Sequence, residues 1–205
     1  MGLSSAQTFL GEKLVVATHN KGKLSEFRAM LAPYFREIVS AGDLGLSEPI
    51  EDGETFRDNA SIKARAAAQA SGCVALADDS GLCVNALGGQ PGVHTARWCG
   101  PEKSVEVGMH AVHEALGCAL DRSAYFIASL AMVWPDGREL CVEGRCDGQM
   151  IWPPRGNKGH GYDPSFIPDD GDGLRTFGEM EEEEKDAVSH RARACRLLLE
   201  KLKEL

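Results

Sequence analysis

Val74-Ala75-Leu76-Ala77-Asp78-Asp79-Ser80-Gly81 is an apolar run that ends in two adjacent carboxylates, a serine and a glycine. A short apolar run reads as a buried strand, and the end of such a strand is where α/β proteins place chemistry. Side chains alternate across a strand, so Asp78 and Asp79 should point to opposite sides unless the backbone turns. Two like charges so close in a buried setting call for a cation. Hard oxygen donors favour Mg2+ or Mn2+, and Mg2+ usually arrives with phosphates. The plainer alternative is a surface Asp-Asp turn ahead of Ser80-Gly81.

Upstream, Leu14-Val15-Val16-Ala17 reads as the first strand and runs into Thr18-His19-Asn20-Lys21-Gly22-Lys23. A helical pattern follows, with Leu24, Phe27 and Leu31 on one side. A strand-turn-helix junction carrying Thr, Asn, Gly and two Lys suits an anion, because backbone N–H groups at a helix start can face phosphate oxygens. The Walker pattern GxxxxGK[ST] and the dinucleotide fingerprint GxGxxG are both absent. Downstream, Ser189 reads as the N-cap of a last helix whose core face carries Val188, Cys195, Leu198, Leu199, Leu202 and Leu205. His190 and Arg191 then fall in the first turn, where the helix dipole disfavours cations. A basic pair placed there points to an anionic or carbonyl-bearing partner.

The remaining elements alternate. A helix is predicted over 23–34 and a short strand at Ile38-Val39. A second helix runs from Thr55, with Asp58 as its capping-box partner, to a stop at Gly72. Phe56, Ala60, Ala64, Ala67 and Ala68 form its apolar face. Strand 73–78 is followed by Cys83-Val84, a glycine-rich loop from Gly88 to Gly92, and a helix over 104–116 ending at Gly117. Residues 124–134 and 138–146 read as long antiparallel strands joined at Pro135-Asp136-Gly137. Residues 153–157 and 160–173 read as loops, and Glu181 to Glu184 as a solvated helical turn. Strands separated by helices, with one antiparallel ribbon, predict an α/β fold with a mixed sheet.

At 205 residues the chain reads as a single domain, 1–205, large enough for a substantial core. A net charge of −9 without a basic stripe excludes duplex nucleic acid as an expected partner. The 7 cysteines are scattered, with no CxxC, and predict reduced, mostly buried thiols in a cytoplasmic protein. No apolar run reaches membrane-span length, and the first twelve residues lack the basic and apolar regions of a signal peptide. Met1-Gly2 lacks the Ser or Thr that myristoylation wants, since Ala6 stands there. His110 and His113 are spaced to share a helix face, where an exposed, idle pair is the default over a metal site.

Taken together, Ala17 to Lys23, Glu51-Asp52-Gly53-Glu54-Thr55-Phe56 with Asn59-Ala60 and Lys63-Ala64, Ala77 to Leu82, Leu87 to Gly92 with Ala96-Arg97, Gly161-Tyr162-Asp163-Pro164, Glu184-Lys185 and Ser189-His190-Arg191 resemble one family in order and spacing. It is the inosine triphosphate pyrophosphatase family, and the resemblance runs from Leu14 to about Leu202. It implies an elongated, two-lobed α/β fold with a central mixed sheet and an active-site cleft between lobes. The implied reaction converts ITP, dITP or XTP to the monophosphate and pyrophosphate, with Mg2+ or Mn2+, in a homodimer with no nucleic-acid or membrane partner. By resemblance, Asp79 is metal ligand and proton acceptor, with Glu51 and Asp78 as further metal carboxylates. Thr18, His19, Asn20, Lys21, Gly22, Lys23, Lys63, Ser80, Arg97 and Lys185 then lie along the triphosphate. His160, Gly161, Tyr162 and Asp163 stack on and bond the purine, and Ser189, His190 and Arg191 read its 6-position. Two residues depart from the family pattern. His19 replaces a usual Gly, which questions the loop conformation, and His160 replaces a usual Phe, which weakens stacking. A septum-inhibitor-type nucleotide pyrophosphatase is the rival enzyme, opposed by Ser189-His190-Arg191. A non-cleaving nucleotide sensor is the rival binder, opposed by the crowded acids.

Overall fold

The computed structural model describes residues 10–204. Met1, Gly2, Ala6 and Leu205, which entered the sequence reading, lie outside them. The described elements run β1 (Gly11–Val16), α1 (Lys21–Leu31), β2 (Phe35–Ser40), α2 (Phe56–Ser71), β3 (Val74–Val84), α3 (Val105–Leu116), β4 (Ser123–Val133), β5 (Glu139–Met150), β6 (Phe166–Pro168), α4 (Glu182–Val188) and α5 (His190–Leu202). The strands form one six-stranded sheet in the order β2-β1-β3-β4-β5-β6. β1 pairs in parallel with both β2 and β3, aligning Val16 with Ser40 and with Leu76. β5 and β6 are antiparallel, so the sheet is mixed as expected.

Contacts divide the chain into two compact units. One holds the chain through Asp79, residues 129–142 and the chain from Cys195; the other holds 80–128 and 143–194. In the first unit, α2 lays Ala60, Ala64, Ala67 and Ala68 against Val15, Ala75, Ala77, Ala131 and Val133. Small side chains on that face let the helix backbone sit close to the sheet. The expected capping box is present at Thr55 and Asp58, and Gly72 closes the helix in the left-handed conformation at φ 65. The second unit is packed around aromatics. Phe126 and Phe166 meet edge to face at 4.7 Å, and Phe177 packs on Phe166 at 5.4 Å.

Several boundaries differ from the sequence reading. α1 begins at Lys21 because Asn20 caps it, its side chain accepting from the amides of Gly22 and Lys23. β3 does not stop at Asp78 but continues through Gly81 to Val84. β5 extends to Met150, burying alternate residues from Val142 onward. β6 lies inside the segment read as loop 160–173, and α4 grows from the acidic run. Within the second unit, the first turn of α5 crosses β5 at Gly144. A Cβ there would come within 2.2 Å of the His190 carbonyl oxygen and 2.4 Å of the Ala194 amide nitrogen.

Candidate active site

The residues singled out by sequence fall into one set in each unit. In the first unit, the turn from β1 to α1 is held locally. The Asn20 amide donates to Thr18 Oγ1 at 3.0 Å, and Asn20 Oδ1 accepts from Gly22 at 2.8 Å and Lys23 at 3.2 Å. These two amides therefore serve the cap, a correction to the idea that the helix-start amides face phosphate. What the turn offers an anion is its lysines, of which Lys21 is exposed and Lys23 half-buried. His19 brings no strain, since Lys103 is the only non-glycine at positive φ among the described residues. Its ring reaches the segment after β2, with Nε2 3.1 Å from the Leu46 carbonyl and Nδ1 2.8 Å from Glu48 Oε1.

The two aspartates lie within a strand, so the surface-turn alternative fails. Asp78 is 5% exposed. As adjacent residues of one strand must, the pair turns to different partners. Asp78 meets Lys23 of α1 at 2.6 Å, and Asp79 meets Lys63 of α2 at 3.2 Å. Lys63 also reaches Glu51 Oε2 at 2.9 Å. The cations that compensate these carboxylates are thus ammonium groups supplied by two helices, where sequence reasoning invoked a metal alone. Burial pushes the Asp79 carboxyl above its ordinary value, against the pull of Lys63 and with help from Glu51 and Asp78. Burial disfavours the Lys63 charge too, yet Asp79 and Glu51 together hold its pKa above the ordinary lysine value. One ammonium shared by two carboxylates gains more than either carboxylate does, so both directions are consistent.

Among the described residues, no three His, Cys, Asp or Glu side chains converge as a ready-made metal cage. Mg2+ does not require one, because it takes one or two carboxylates and completes its shell with water and phosphate oxygens. Lys63 Nζ, bound to both Glu51 and Asp79, stands in for a cation between hard oxygen donors, so the donor set fits Mg2+ or Mn2+. His110 and His113 show no such convergence. His113 stacks on Trp152 at 4.4 Å and His110 pairs with Glu114 at 3.6 Å.

In the second unit, Arg191 is 9% exposed, and its Nη2 donates to Ser80 Oγ at 3.1 Å. His190 is buried and stacks on Phe126 at 5.0 Å. Ser189 caps α5, accepting from the Ala192 amide at 3.2 Å. Asp163 is buried, where its Oδ2 accepts from the His160 amide and from Lys185 Nζ, each at 2.6 Å. Lys185 is therefore tied to the base-side loop in this arrangement rather than standing open to a phosphate. Tyr162 is 2% exposed, with its hydroxyl donating to the Thr95 carbonyl at 3.0 Å. Its ring belongs to the core beneath the loop, so of the four loop residues it is the exposed His160 that offers a ring to a base. Gly161 turns the loop at φ 62. Arg97 is exposed in a single 3-10 turn over Arg97–Cys99.

A family model for the Ham1 family matches residues 14–201. The chain belongs to the Ham1 family. A dITP/XTP pyrophosphatase from Gluconobacter oxydans is 54% identical over 189 residues, covering 92% of this chain and 90% of its own. Another from Caulobacter vibrioides is 54% identical over 187 residues, covering 90% and 95%. Among solved structures, a HAM1 protein from Coxiella burnetii superposes with a TM-score of 0.86 at 36% identity, covering 95% of this chain and all of the other. A nucleoside-triphosphatase / dITP/XTP pyrophosphatase from Mycobacterium abscessus gives 0.75 at 43%, covering 91% and 98%.

One residue of this Ham1 chain joins the carboxylate cluster without having been assigned a role from sequence. Asn59, 5% exposed on α2, donates from Nδ2 to Asp79 Oδ2 at 3.3 Å and accepts the Gly53 amide on Oδ1 at 2.9 Å. It ties Asp79 to the segment that carries Glu51. The available signal was an Asn within the alanine-rich apolar face of a helix, a costly position without a partner. Gly53 is fixed by the same contact, since a Cβ there would lie 2.7 Å from Asn59 Oδ1.

Proposed function

We propose that the chain hydrolyses ITP, dITP and XTP to the nucleoside monophosphate and pyrophosphate, and so clears these purines from the nucleotide pool. The observation that carries the reading is Asp79, half-buried at the junction of Lys63, Asn59 and Glu51. The names of the relatives, dITP/XTP pyrophosphatases, support it. Water attacks the α-phosphorus and pyrophosphate leaves. Asp79 takes the proton of that water, and a carboxylate whose pKa is raised by burial is a better base near neutral pH than an ordinary one. Lys23 and Lys63, with Lys21, Thr18 and Asn20, place positive charge and donors along the triphosphate where charge develops. Glu51, Asp78 and Asp79 would hold Mg2+ or Mn2+, which when bound adds electrophilic assistance at the phosphates.

The purine is assigned to the second set. Arg191 and its neighbours are donors, suited to the 6-keto acceptor of hypoxanthine and xanthine. Adenine presents an amino donor there, which would leave donors unpaired at a cost. We read the whole chain as one catalytic domain, a homodimer of the cytoplasm with a small-molecule substrate. No helix among the described residues is long and apolar enough to cross a membrane. With Mg2+, ITP and XTP should turn over at least about 10²-fold more efficiently than ATP. Phosphorus NMR of a fresh reaction should show pyrophosphate as the first product. Orthophosphate appearing first, or equal efficiency on ATP, rejects the reading.

A further inference from the structure

Both ring nitrogens of His19 face oxygen acceptors. The Leu46 carbonyl, 3.1 Å from Nε2, can only accept. The Glu48 carboxylate, 2.8 Å from Nδ1, can only accept while ionised. A neutral imidazole carries one N–H and can satisfy one of them, whereas an imidazolium satisfies both. The acceptor side is held in place. Leu46 donates its amide to the Ala41 carbonyl at 2.9 Å, and Ala41 donates to Val16 at the end of β1 at 2.8 Å. Ser40 and Asp43 brace the same turn, each donating its amide to the other's side chain. Gly42 lies under the ring, where a Cβ would come 3.2 Å from His19 Cδ2. Charged groups on the elements nearby are Lys21 and Lys23 in the same turn, Glu48 itself, and Asp43 with Arg28 at 3.6 Å.

We propose that His19, as an imidazolium, is a positioning residue that ties the Thr18–Lys23 turn to Leu46 and Glu48, three residues ahead of Glu51. This rests on the reading of that turn as the triphosphate-binding element. The bridge fixes where Lys21 and Lys23 stand relative to the carboxylate segment, and protonating the imidazole tightens it. It is an exposed pair, so its effect on substrate affinity is modest, about two- to fivefold.

The test pairs a spectroscopic readout with a KM and kcat split. In the metal-free, substrate-free protein at pH 6, nitrogen-15 NMR should show both His19 nitrogens protonated. His19→Ala and Glu48→Gln should each raise KM for ITP about two- to fivefold at pH 6 with kcat unchanged within about twofold. The combined variant should be no worse than either alone. Glu48→Gln gives the deciding sign. If His19 acts merely as a nearby charge, removing the carboxylate makes the region more positive and lowers KM, which overturns the proposal. A neutral His19 at pH 6, or a kcat effect without a KM effect, overturns it as well. Failure on ITP altogether would sink the functional reading yet leave the NMR result standing.

Discussion

At the scale of single residues, Asp79 carries opposed demands. Its half-buried carboxyl is held above the ordinary aspartate value of 3.8, burial being the chief cause. The base works as an anion, and the anion is lost as pH falls through the folded-state value. The acid limb of kcat/KM should therefore lie above that of an ordinary carboxylate, and Lys63→Gln, which removes the opposing pull, should move it higher still. The same shift means the charged form is disfavoured by folding: stability falls as pH rises from the unfolded value through the raised folded one, and the cost remains at neutral pH. Asp79→Asn should thus cut kcat by about 10²-fold or more, while raising the Tm of the metal-free protein by a few degrees. A calorimetric scan beside steady-state kinetics checks both, and a fall in Tm would mean the Lys63 pairing outweighs burial. The acidic residues themselves were legible in the sequence because Asp-Asp at the end of an apolar run has few innocent explanations. Their compensation was not, because Lys63 and Asp79 are brought together only by packing. Asn59 escaped for the same reason, since its partner oxygen is 20 positions away.

Elements with their own periodicity or capping were readable; those created by distant partners were not. α2 announced itself through Thr55, Asp58 and Gly72, all local signals. β6 has three residues, one of them Pro168, and exists because β5 aligns across from it, Met150 opposite Phe166. Pro at a short edge strand is tolerated, yet in sequence it looks like loop. α4 rests on Arg175, which grips Glu184 with two bonds of 2.9 Å from nine residues away. The continuation of β3 through Gly81 was masked by Ser-Gly, a turn pair elsewhere. The contact between α5 and β5 yields an element-scale expectation. Gly144→Ala would drive a methyl into the α5 backbone, which cannot shift as a side-chain end can. It should destabilise by about 3 kcal/mol or more, measured by urea unfolding, and displace His190 and Arg191 with the helix. Unchanged stability and selectivity would show that the helix slides freely.

Across the whole molecule, the mixed sheet and the family were legible from ordered motifs, whereas the division of the site residues between two compact units was not. All 7 cysteines are free thiols, in keeping with the reduced thiols expected from their spacing. Cys118 is exposed, while Cys83, Cys99, Cys146 and Cys195 are buried, with burial pushing Cys146 up to about 12. An aromatic disulfide reagent at pH 8 should consume Cys118 rapidly and the four buried thiols only after denaturant is added. Rapid loss of Cys83, Cys99 or Cys146 would mean that the second unit opens readily.

The strand that separates Asp78 from Asp79 acts as an electrical partition. Each aspartate answers to a lysine from a different helix, and Asp78 ranks last among the influences on Asp79. The two ion pairs are thereby wired in parallel, and either can be broken while the other holds. Lys23→Ala and Lys63→Ala should accordingly have additive effects on the logarithm of KM for ITP, with a coupling term within about 0.5 kcal/mol. A larger coupling in that double-mutant cycle would show current leaking through the sheet.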